Sequence, residues 1–265
     1  MREALGEVFG LRFWVLLPLL VVAIVLSGLL KLVFGAVLRD PQDLFGQLMM
    51  SPVALLVPVL ATVAGSSRLF VQLRWRFAVT TRTRESAGRY TVRRLLGGAV
   101  AAFVLIFTVT LVIGIIAFQI WPPLQPKLFD PGVYGLDPVT VQVDAVARES
   151  YSQLLVHGPV VYVAAYGLVL GCAAAALATL GNVVLLTVRP LWIGLLAPLV
   201  IFFVQSILAA LSNAPYFGLL FALFPFGLDQ QPLLIALLPV LACLLLAGAG
   251  GWAVVARAPS LEQLR

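Results

Sequence analysis

Long apolar segments separated by short polar connections run along the whole chain. A helix needs ~20 predominantly apolar residues to cross the hydrocarbon core of a bilayer, which is about 30 Å thick. Six segments have roughly this length, so the pattern predicts an all-α, multi-pass membrane protein with six transmembrane helices in a single domain, residues 1–265. The predicted spans cover residues 13–34, 45–65, 97–120, 156–180, 190–211 and 233–255.

The connections between the predicted spans differ in character. Residues 1–12 place apolar side chains at helical spacing beside charged ones, which predicts a short amphipathic helix in the membrane interface. Residues 66–96 are rich in arginine, and residues 121–155 form a long connection whose first half holds five prolines. Prolines at that density prevent regular structure. After the Asp-Pro step at residue 137 the spacing of the valines favours an interfacial helix, although "VTVQV" alone also alternates like a strand.

The composition agrees with a lipid environment. Hydrophobic residues make up 62% of the chain and charged residues 11%, so a surface exposed to water cannot be assembled. Cys172 and Cys243 lie in apolar runs away from any histidine or acid, which predicts packing roles and no metal site. His157 has no nucleophile at motif spacing, and the sequence contains no Walker or GxGxxG phosphate loop, so we expect neither an enzyme nor a nucleotide-binding chain. The basic residues form no stripe interleaved with aromatic ones, so nucleic acid is not an expected partner.

The basic residues also predict an orientation. With six spans, both termini share a side with residues 66–96 and with Arg189, and that side carries 13 lysines and arginines against four on the other. Because lysine and arginine are enriched on the cytoplasmic side of membrane proteins, the termini and the arginine-rich segment are predicted to face the cytoplasm. The acids have the opposite bias, with four inside and seven outside.

The arginine-rich segment also has an apolar face. Phe70, Leu73 and Phe77 lie at positions i, i+3 and i+7, with Arg74 and Trp75 beside them, as in a helix that packs against protein. Arginine pairs with carboxylates through two parallel hydrogen bonds, which suits a protein interface. Two interpretations stay open: the segment docks onto a cytoplasmic partner, or it fixes the topology and contacts anionic lipid headgroups.

The predicted spans have no acidic, basic or histidine residue in their central regions. Transporters driven by ions need such residues at membrane depth to bind the coupling ion, so uphill transport by this chain would take its energy from another subunit. Small residues crowd the fourth span, where Gly167, Gly171 and Ala175 recur every four positions. Such a stripe lets helices approach closely, either within one subunit or across a homodimer.

The order of these features resembles that of the permease subunits of ABC-2 type exporters. The resemblance is carried by the amphipathic N-terminus, the basic segment "LRWRFAVTTRTRESAGRYTVRRLL", the cytoplasmic turn "LLTVRPLWIGLLAP" and the outer loop "FALFPFGLDQQP". It implies that residues 68–89 include a coupling helix that docks on a separate nucleotide-binding ATPase subunit. It also implies that residues 1–12 are the connecting helix and that residues 212–232 close the translocation path. The docking residues so implied are Phe70, Leu73, Arg74, Arg76, Phe77, Arg82, Arg84, Glu85 and Arg89.

The resemblance also implies a function. The chain would be the membrane-spanning subunit of an exporter in the plasma (inner) membrane, paired with a second permease subunit, identical or different, and with the ATPase. ATP and Mg would bind to the ATPase, so no cofactor is expected in this chain. The second hypothesis is a non-transporting membrane scaffold or regulatory protein that binds anionic lipid or a cytoplasmic partner through its arginine-rich segment. The connection 121–155 is longer and richer in proline than a minimal exporter needs.

Overall fold

The computed structural model describes residues 11–30, 37–75, 86–227 and 229–258. Within these ranges the chain is helical, and the extended backbone forms only an isolated bridge between Leu38 and Phe129. We number the α-helices in chain order. They are α1 Leu11–Leu29, α2 Pro41–Met49, α3 Val57–Arg74, α4 Ala87–Ile115, α5 Trp121–Leu124, α6 Pro138–Ala147, α7 Pro159–Thr187, α8 Trp192–Leu211, α9 Leu219–Leu223 and α10 Leu233–Ala256.

Four helical stretches among the described residues are long and apolar enough to cross a membrane. They are α7, α8, α10 and the continuous stretch Ala87–Leu124, in which a π-helical segment, Ile116–Ile120, joins α4 to α5. The chain is therefore an all-helical membrane protein, as the sequence predicts. Four of the six predicted spans meet this standard of length and apolarity. The other two do not: α1 is a shorter apolar helix, and α3 carries Arg68 and Arg74, which lower its mean hydropathy.

Helix α7 lies at the centre of the bundle, with α3, α4, α8 and α10 packed around it. Small residues allow this close packing. A Cβ atom on Gly181 of α7 would lie 2.9 Å from the Thr62 side chain of α3 and 3.2 Å from the Gly194 carbonyl oxygen of α8. Helices in lipid associate through such close van der Waals contact, so the row of alanines and glycines in α7 accounts for its central position.

Helices α3 and α4 extend beyond the predicted spans 45–65 and 97–120. Residues 66–74 and 87–96, assigned from their arginines to a connecting segment, belong to α3 and α4. Helical hydrogen bonds form between backbone groups of the same helix, so a helix continues where its side chains become polar. For the same reason α7 extends to Thr187, past the predicted end at residue 180.

The predicted second span is interrupted. Helix α2 ends at Met49 and α3 begins at Val57, with a short 3-10 turn, Ala54–Leu56, between them. Pro58 lies in the first turn of α3, where the absence of a backbone N–H costs no helical hydrogen bond. The proline-containing region therefore separates two helices, where the sequence predicts a single span over residues 45–65.

The long connection 121–155 begins with α5, so its prolines do not prevent regular structure as expected, because Pro122 and Pro123 lie in a first helical turn that needs no N–H donor. Short 3-10 turns follow, Pro126–Leu128 and Pro131–Tyr134. The helix expected after residue 137 is present as α6, and the Asp137 carboxylate accepts a hydrogen bond from the Thr140 N–H at 2.7 Å. We call α2, α6 and residues 148–157 the cap, because they lie together at the end of the bundle where α7 begins.

Candidate functional site

The hairpin of α3 and α4 carries the described part of the arginine-rich segment. Its helices cross at Gly65 and Gly98, where a Cβ on Gly98 would lie 2.3 Å from the Gly65 carbonyl oxygen. Asn182 of α7 donates from Nδ2 to that oxygen at 3.3 Å, and the Ser66 hydroxyl donates to the Ala178 carbonyl at 3.4 Å. At this crossing the hairpin therefore contacts α7 through polar bonds to backbone atoms.

A small apolar cluster joins the arginine-bearing end of the hairpin to α7 and α10. Its buried members are Leu69, Leu73, Ala87, Tyr90, Leu185, Leu186, Val254 and Ala258. The Tyr90 hydroxyl donates to Gln72 Oε1 at 2.8 Å, and the Arg94 guanidinium lies 5.4 Å from the centre of the Tyr90 ring. Since these side chains are packed together, a displacement of the hairpin end moves its neighbours.

The structure divides the predicted docking residues. Leu73 is 8% exposed within this cluster, and Phe70 is half-buried against it, so their apolar face packs inside the chain. Arg74 and Arg89 are exposed at the end of the hairpin. The other predicted docking residues lie outside the described residues: Arg76, Phe77, Arg82, Arg84 and Glu85.

The stripe of small residues in α7 faces α4 of the same chain. A Cβ on Gly171 would lie 2.9 Å from the Phe103 ring, and one on Gly167 would lie 3.1 Å from the Phe107 ring. The two phenyl rings are stacked, with their centres 5.6 Å apart. Ala175, one turn further on, is half-buried. Packing within one subunit therefore accounts for both glycines of the stripe.

A group of charged side chains in the cap was not recognised from the sequence as a site. We call it the charge cluster, and its members are Arg39, Asp40, Asp43, Asp144, Arg148 and Glu149. Arg148, with 10% of its side chain exposed, donates from Nη2 to Asp40 Oδ2 and from Nη1 to Asp43 Oδ1, both at 2.7 Å. It also donates from Nε to Asp144 Oδ2 at 3.1 Å. One guanidinium thereby fastens the start of α2 to the end of α6.

Arg39 lies at the more exposed side of the charge cluster, with 28% of its side chain exposed. It donates from Nε and Nη2 to Asp43 at 2.9 Å and from Nη1 to Asp144 at 3.3 Å. The hydrogen bond to Asp43 raises the pKa of Arg39 against the effect of burial. Burial alone lowers the pKa of Arg148, but the hydrogen bonds to Asp40 and Asp144 outweigh it and raise that pKa. Both arginines therefore stay charged, as the pairing requires.

Glu149 is the most buried acid of the charge cluster, with 5% of its surface exposed. Burial raises the pKa of its carboxyl to about 7, although the neighbouring Arg148 acts in the opposite direction. Gln42, 2% exposed, lies close enough to lower that pKa, yet neither atom of its amide makes a hydrogen bond of normal geometry. The Oε2 atom of Glu149 likewise has no hydrogen-bond partner among the described residues.

Other contacts fix the cap to the helices that follow it in the chain. The Tyr151 hydroxyl donates to the Ala222 carbonyl at 3.0 Å and to the Ala236 carbonyl at 3.3 Å. The Gln230 amide donates to the Val146 carbonyl at 2.7 Å and to the Glu149 carbonyl at 3.1 Å. The cap is thus bonded to α9, to α10 and to the connection that precedes α10, so a change within the charge cluster acts on three parts of the bundle.

Two other features offer little polar chemistry. A groove of about 580 Å³ beside α8 has Gln205 as a lining residue, but its amide already donates to the Phe217 carbonyl and accepts from the Leu219 N–H at 2.6 Å. Over the described residues, no group of three or more His, Cys, Asp or Glu side chains could hold a metal ion.

Comparison of the chain with protein families, characterised proteins and solved structures finds no match.

Proposed function

We propose that this chain is the membrane-spanning permease subunit of an ATP-binding-cassette exporter in the plasma membrane. In this arrangement α1 and α3 complete a set of six spans, and both termini and the end of the α3–α4 hairpin face the cytoplasm. Two permease subunits pair with two ATPase subunits. ATP and Mg bind to the ATPase, whose closure upon ATP binding moves the hairpins.

The observation that carries this proposal is the construction of the α3–α4 hairpin. Its helices extend beyond their apolar parts and expose Arg74 and Arg89 at the end. Nearer the middle of the bundle, the backbones of Gly65 and Gly98 contact each other and α7 with no large side chain between them. Helices in such direct contact move together, since a packed core has little free volume to absorb a shift. The hairpin is thus suited to carry motion from a cytoplasmic subunit to the central helix.

The polar groups inside the spans support an energy source outside this chain. The hydroxyls of Thr62, Thr110 and Ser206 donate to carbonyls one turn earlier in their own helices, at 2.7, 2.9 and 2.7 Å. These hydroxyl groups are neutral and do not ionise at ordinary pH. An ion-driven cycle uses ionisable side chains at membrane depth, which the central regions of the spans do not contain.

Co-purification with a nucleotide-binding subunit tests the proposal. The chain, co-expressed with a candidate ATPase and reconstituted in nanodiscs, is expected to retain that subunit and to change its rate of ATP hydrolysis. The combined variant Arg74→Ala, Arg76→Ala and Glu85→Ala should insert normally but lose both effects. Lys127→Ala, in the exposed connection after α5, serves as the control and should behave as the wild type.

Two results would contradict the proposal. If no nucleotide-binding subunit is retained or altered in activity, the chain is not a permease of this kind. If the cellular function persists without the ATPase, the scaffold hypothesis is favoured. Topology has a separate test, in which single cysteines at Glu85 and Tyr134 are labelled in a variant without Cys172 and Cys243. Labelling of both positions from one side would refute the six-span arrangement.

A further inference from the structure

The charge cluster contains more acid than its arginines can pair. It holds four carboxyl groups and two guanidinium groups. Asp40, Asp43 and Asp144 receive the hydrogen bonds that Arg39 and Arg148 donate within the cluster. With the three aspartates ionised, the cluster already has one negative charge in excess. Ionised Glu149 would add a second negative charge at the most buried position.

Gln42 provides an independent observation at the same place. Its side chain is buried beside the Glu149 carboxyl, and among the described residues neither its amide oxygen nor its amide nitrogen makes a hydrogen bond of normal geometry. A buried amide without partners loses the hydrogen bonds it would make in water, and that loss destabilises the folded protein. A carboxylate can accept from the amide nitrogen but can offer nothing to the amide oxygen. A carboxylic acid can do both.

We propose that Glu149 and Gln42 form a buried proton-binding site, in which protonated Glu149 donates its O–H to Gln42 Oε1 and accepts from Gln42 Nε2. The proton comes from the aqueous phase beside the cap and returns to it, and no other bond changes. Since Gln42 belongs to α2 and Glu149 follows α6, the pair adds a second contact between these two helices, beside the Arg148 ion pairs. Loss of the proton removes the hydrogen bond to Gln42 Oε1 and leaves a carboxylate that faces Asp40 and Asp43.

The groups around Glu149 act in both directions. Asp40 and Asp43 at the start of α2 favour the proton, whereas Arg148 and an N–H donated by the Gln42 amide oppose it. Asp144 and Arg39 complete the charges of the cluster and are bonded to each other. From α7, Tyr162 contributes a buried phenol that interacts with the Glu149 charge. The connection before α10 contributes the Gln230 amide, bonded to the Glu149 carbonyl, and the exposed Asp229.

The balance of these groups leaves the acid form favoured. Burial contributes most to raising the pKa of Glu149, which lies at about 7 against an ordinary value of 4.5. The folded protein therefore keeps this proton over a pH range in which the unfolded chain has released it. The stabilisation is complete below about pH 4.5 and is lost as the pH rises through about 7. Within that range one bound proton changes the unfolding equilibrium by at most about tenfold per pH unit.

Infrared spectroscopy of the full chain in nanodiscs tests the proton directly. One sample carries 13C-labelled glutamate side chains and the other 13C-labelled aspartate, so that the C=O stretch of a protonated carboxyl can be assigned to its residue type. We expect a glutamate C=O stretch that persists at pH 6 and disappears with a midpoint near 7. The Glu149→Gln variant should lack it. If all glutamate carboxyls are ionised at pH 6 in the wild type, the proposal is wrong, and this result needs no variant that folds.

Thermal unfolding separates the proton site from a general effect of acidity. Asp144→Asn is the matched control, because it also changes an acid of the same cluster to its amide. Between pH 5 and pH 7 the free energy of unfolding should fall in the wild type and in Asp144→Asn. Measured at the same two pH values, Glu149→Gln should not show this fall. The largest expected change is about 100-fold in the unfolding equilibrium across those two units. Equal pH dependence in the wild type and Glu149→Gln would overturn the proposal. It would also be overturned if only Asp144→Asn removed the dependence.

Discussion

Replacing Arg148 with methionine tests how firmly the charge cluster holds the cap. Methionine keeps an unbranched side chain but donates no hydrogen bonds, so Asp40, Asp43 and Asp144 lose a shared partner. Removing one member of a buried ion pair costs about 3–5 kcal/mol, because the remaining charge stays buried and unpaired. Here 16% of the Asp43 side chain and 31% of the Asp144 side chain are exposed, and water replaces part of the lost bonding. We therefore expect a loss of about 3 kcal/mol, at the lower end of that range.

Hydrogen exchange followed by mass spectrometry measures this loss in the cap itself. A loss of about 3 kcal/mol corresponds to an opening equilibrium about 100 times larger, so the amides of α6 should exchange about 100-fold faster. Exchange in the central helix α7 should change little. The control is Arg39→Met, since that side chain is 28% exposed against 10% for Arg148 and its ion pairs are with Asp43 and Asp144. We expect for it a loss of about 1 kcal/mol.

The experiment has a clear contrary result. If Arg148→Met accelerates exchange in α6 less than threefold, or no more than Arg39→Met does, the ion pairs do not hold the cap. The attachment would then depend on the hydrogen bonds of Tyr151 and Gln230. If α6 and α7 accelerate equally, the variant weakens the whole bundle and the cap is not a separate cooperative unit.

Two further predictions concern other parts of the bundle and use thermal unfolding in one detergent. Gly98→Ala places a methyl group 2.3 Å from the Gly65 carbonyl oxygen and should destabilise the protein by about 1–3 kcal/mol or more. Gly88→Ala has no neighbour within 4 Å and should stabilise α4 by about 0.5–1 kcal/mol. Equal melting temperatures for the two variants would contradict the close crossing of α3 and α4. Tyr151→Phe leaves two buried carbonyls without their donor and should cost about 1–2 kcal/mol, and the exposed Tyr134→Phe should cost less than about 0.5 kcal/mol. If Tyr134→Phe loses more stability than Tyr151→Phe, the Tyr151 hydroxyl does not fix the cap.

Hydropathy predicted some helix bounds closely and others poorly, for a physical reason. The sixth predicted span, 233–255, agrees with α10 at Leu233–Ala256 because proline precedes it and the apolar run ends where the helix does. The predicted spans 45–65 and 97–120 stop short of the ends of α3 and α4, because these ends are polar but remain helical through Arg74 and from Ala87. Hydropathy indicates where a helix meets lipid, and backbone hydrogen bonding decides where the helix ends.

The charge cluster could not be assembled from the sequence. Arg39 and Asp144 are 105 residues apart, and Arg148 and Asp40 are 108 apart, so no local spacing connects them. In the sequence, Arg39 and Arg148 are only two of the four basic residues on the predicted outer side. The excess of acids on that side, seven against four, was the available signal. Acids near a membrane are expensive to bury, which makes an excess of them a reason to look for partners far along the chain.

The separation of 108 residues between Asp40 and Arg148 also has a consequence for how the protein is made. At roughly 5–20 residues per second, the ribosome needs about 5–20 s to synthesise Arg148 after Asp40. During that interval α3 and α4 are produced, while the aspartates of α2 have no Arg148 to pair with. Arg39 is then available to pair with Asp43, but Asp40 still lacks its arginine partner. Since an unpaired carboxylate is stable in water and costly in hydrocarbon, we expect the start of α2 to stay at the aqueous boundary. The cap is therefore a late product of biogenesis, completed after the hairpin that it accompanies is already inserted.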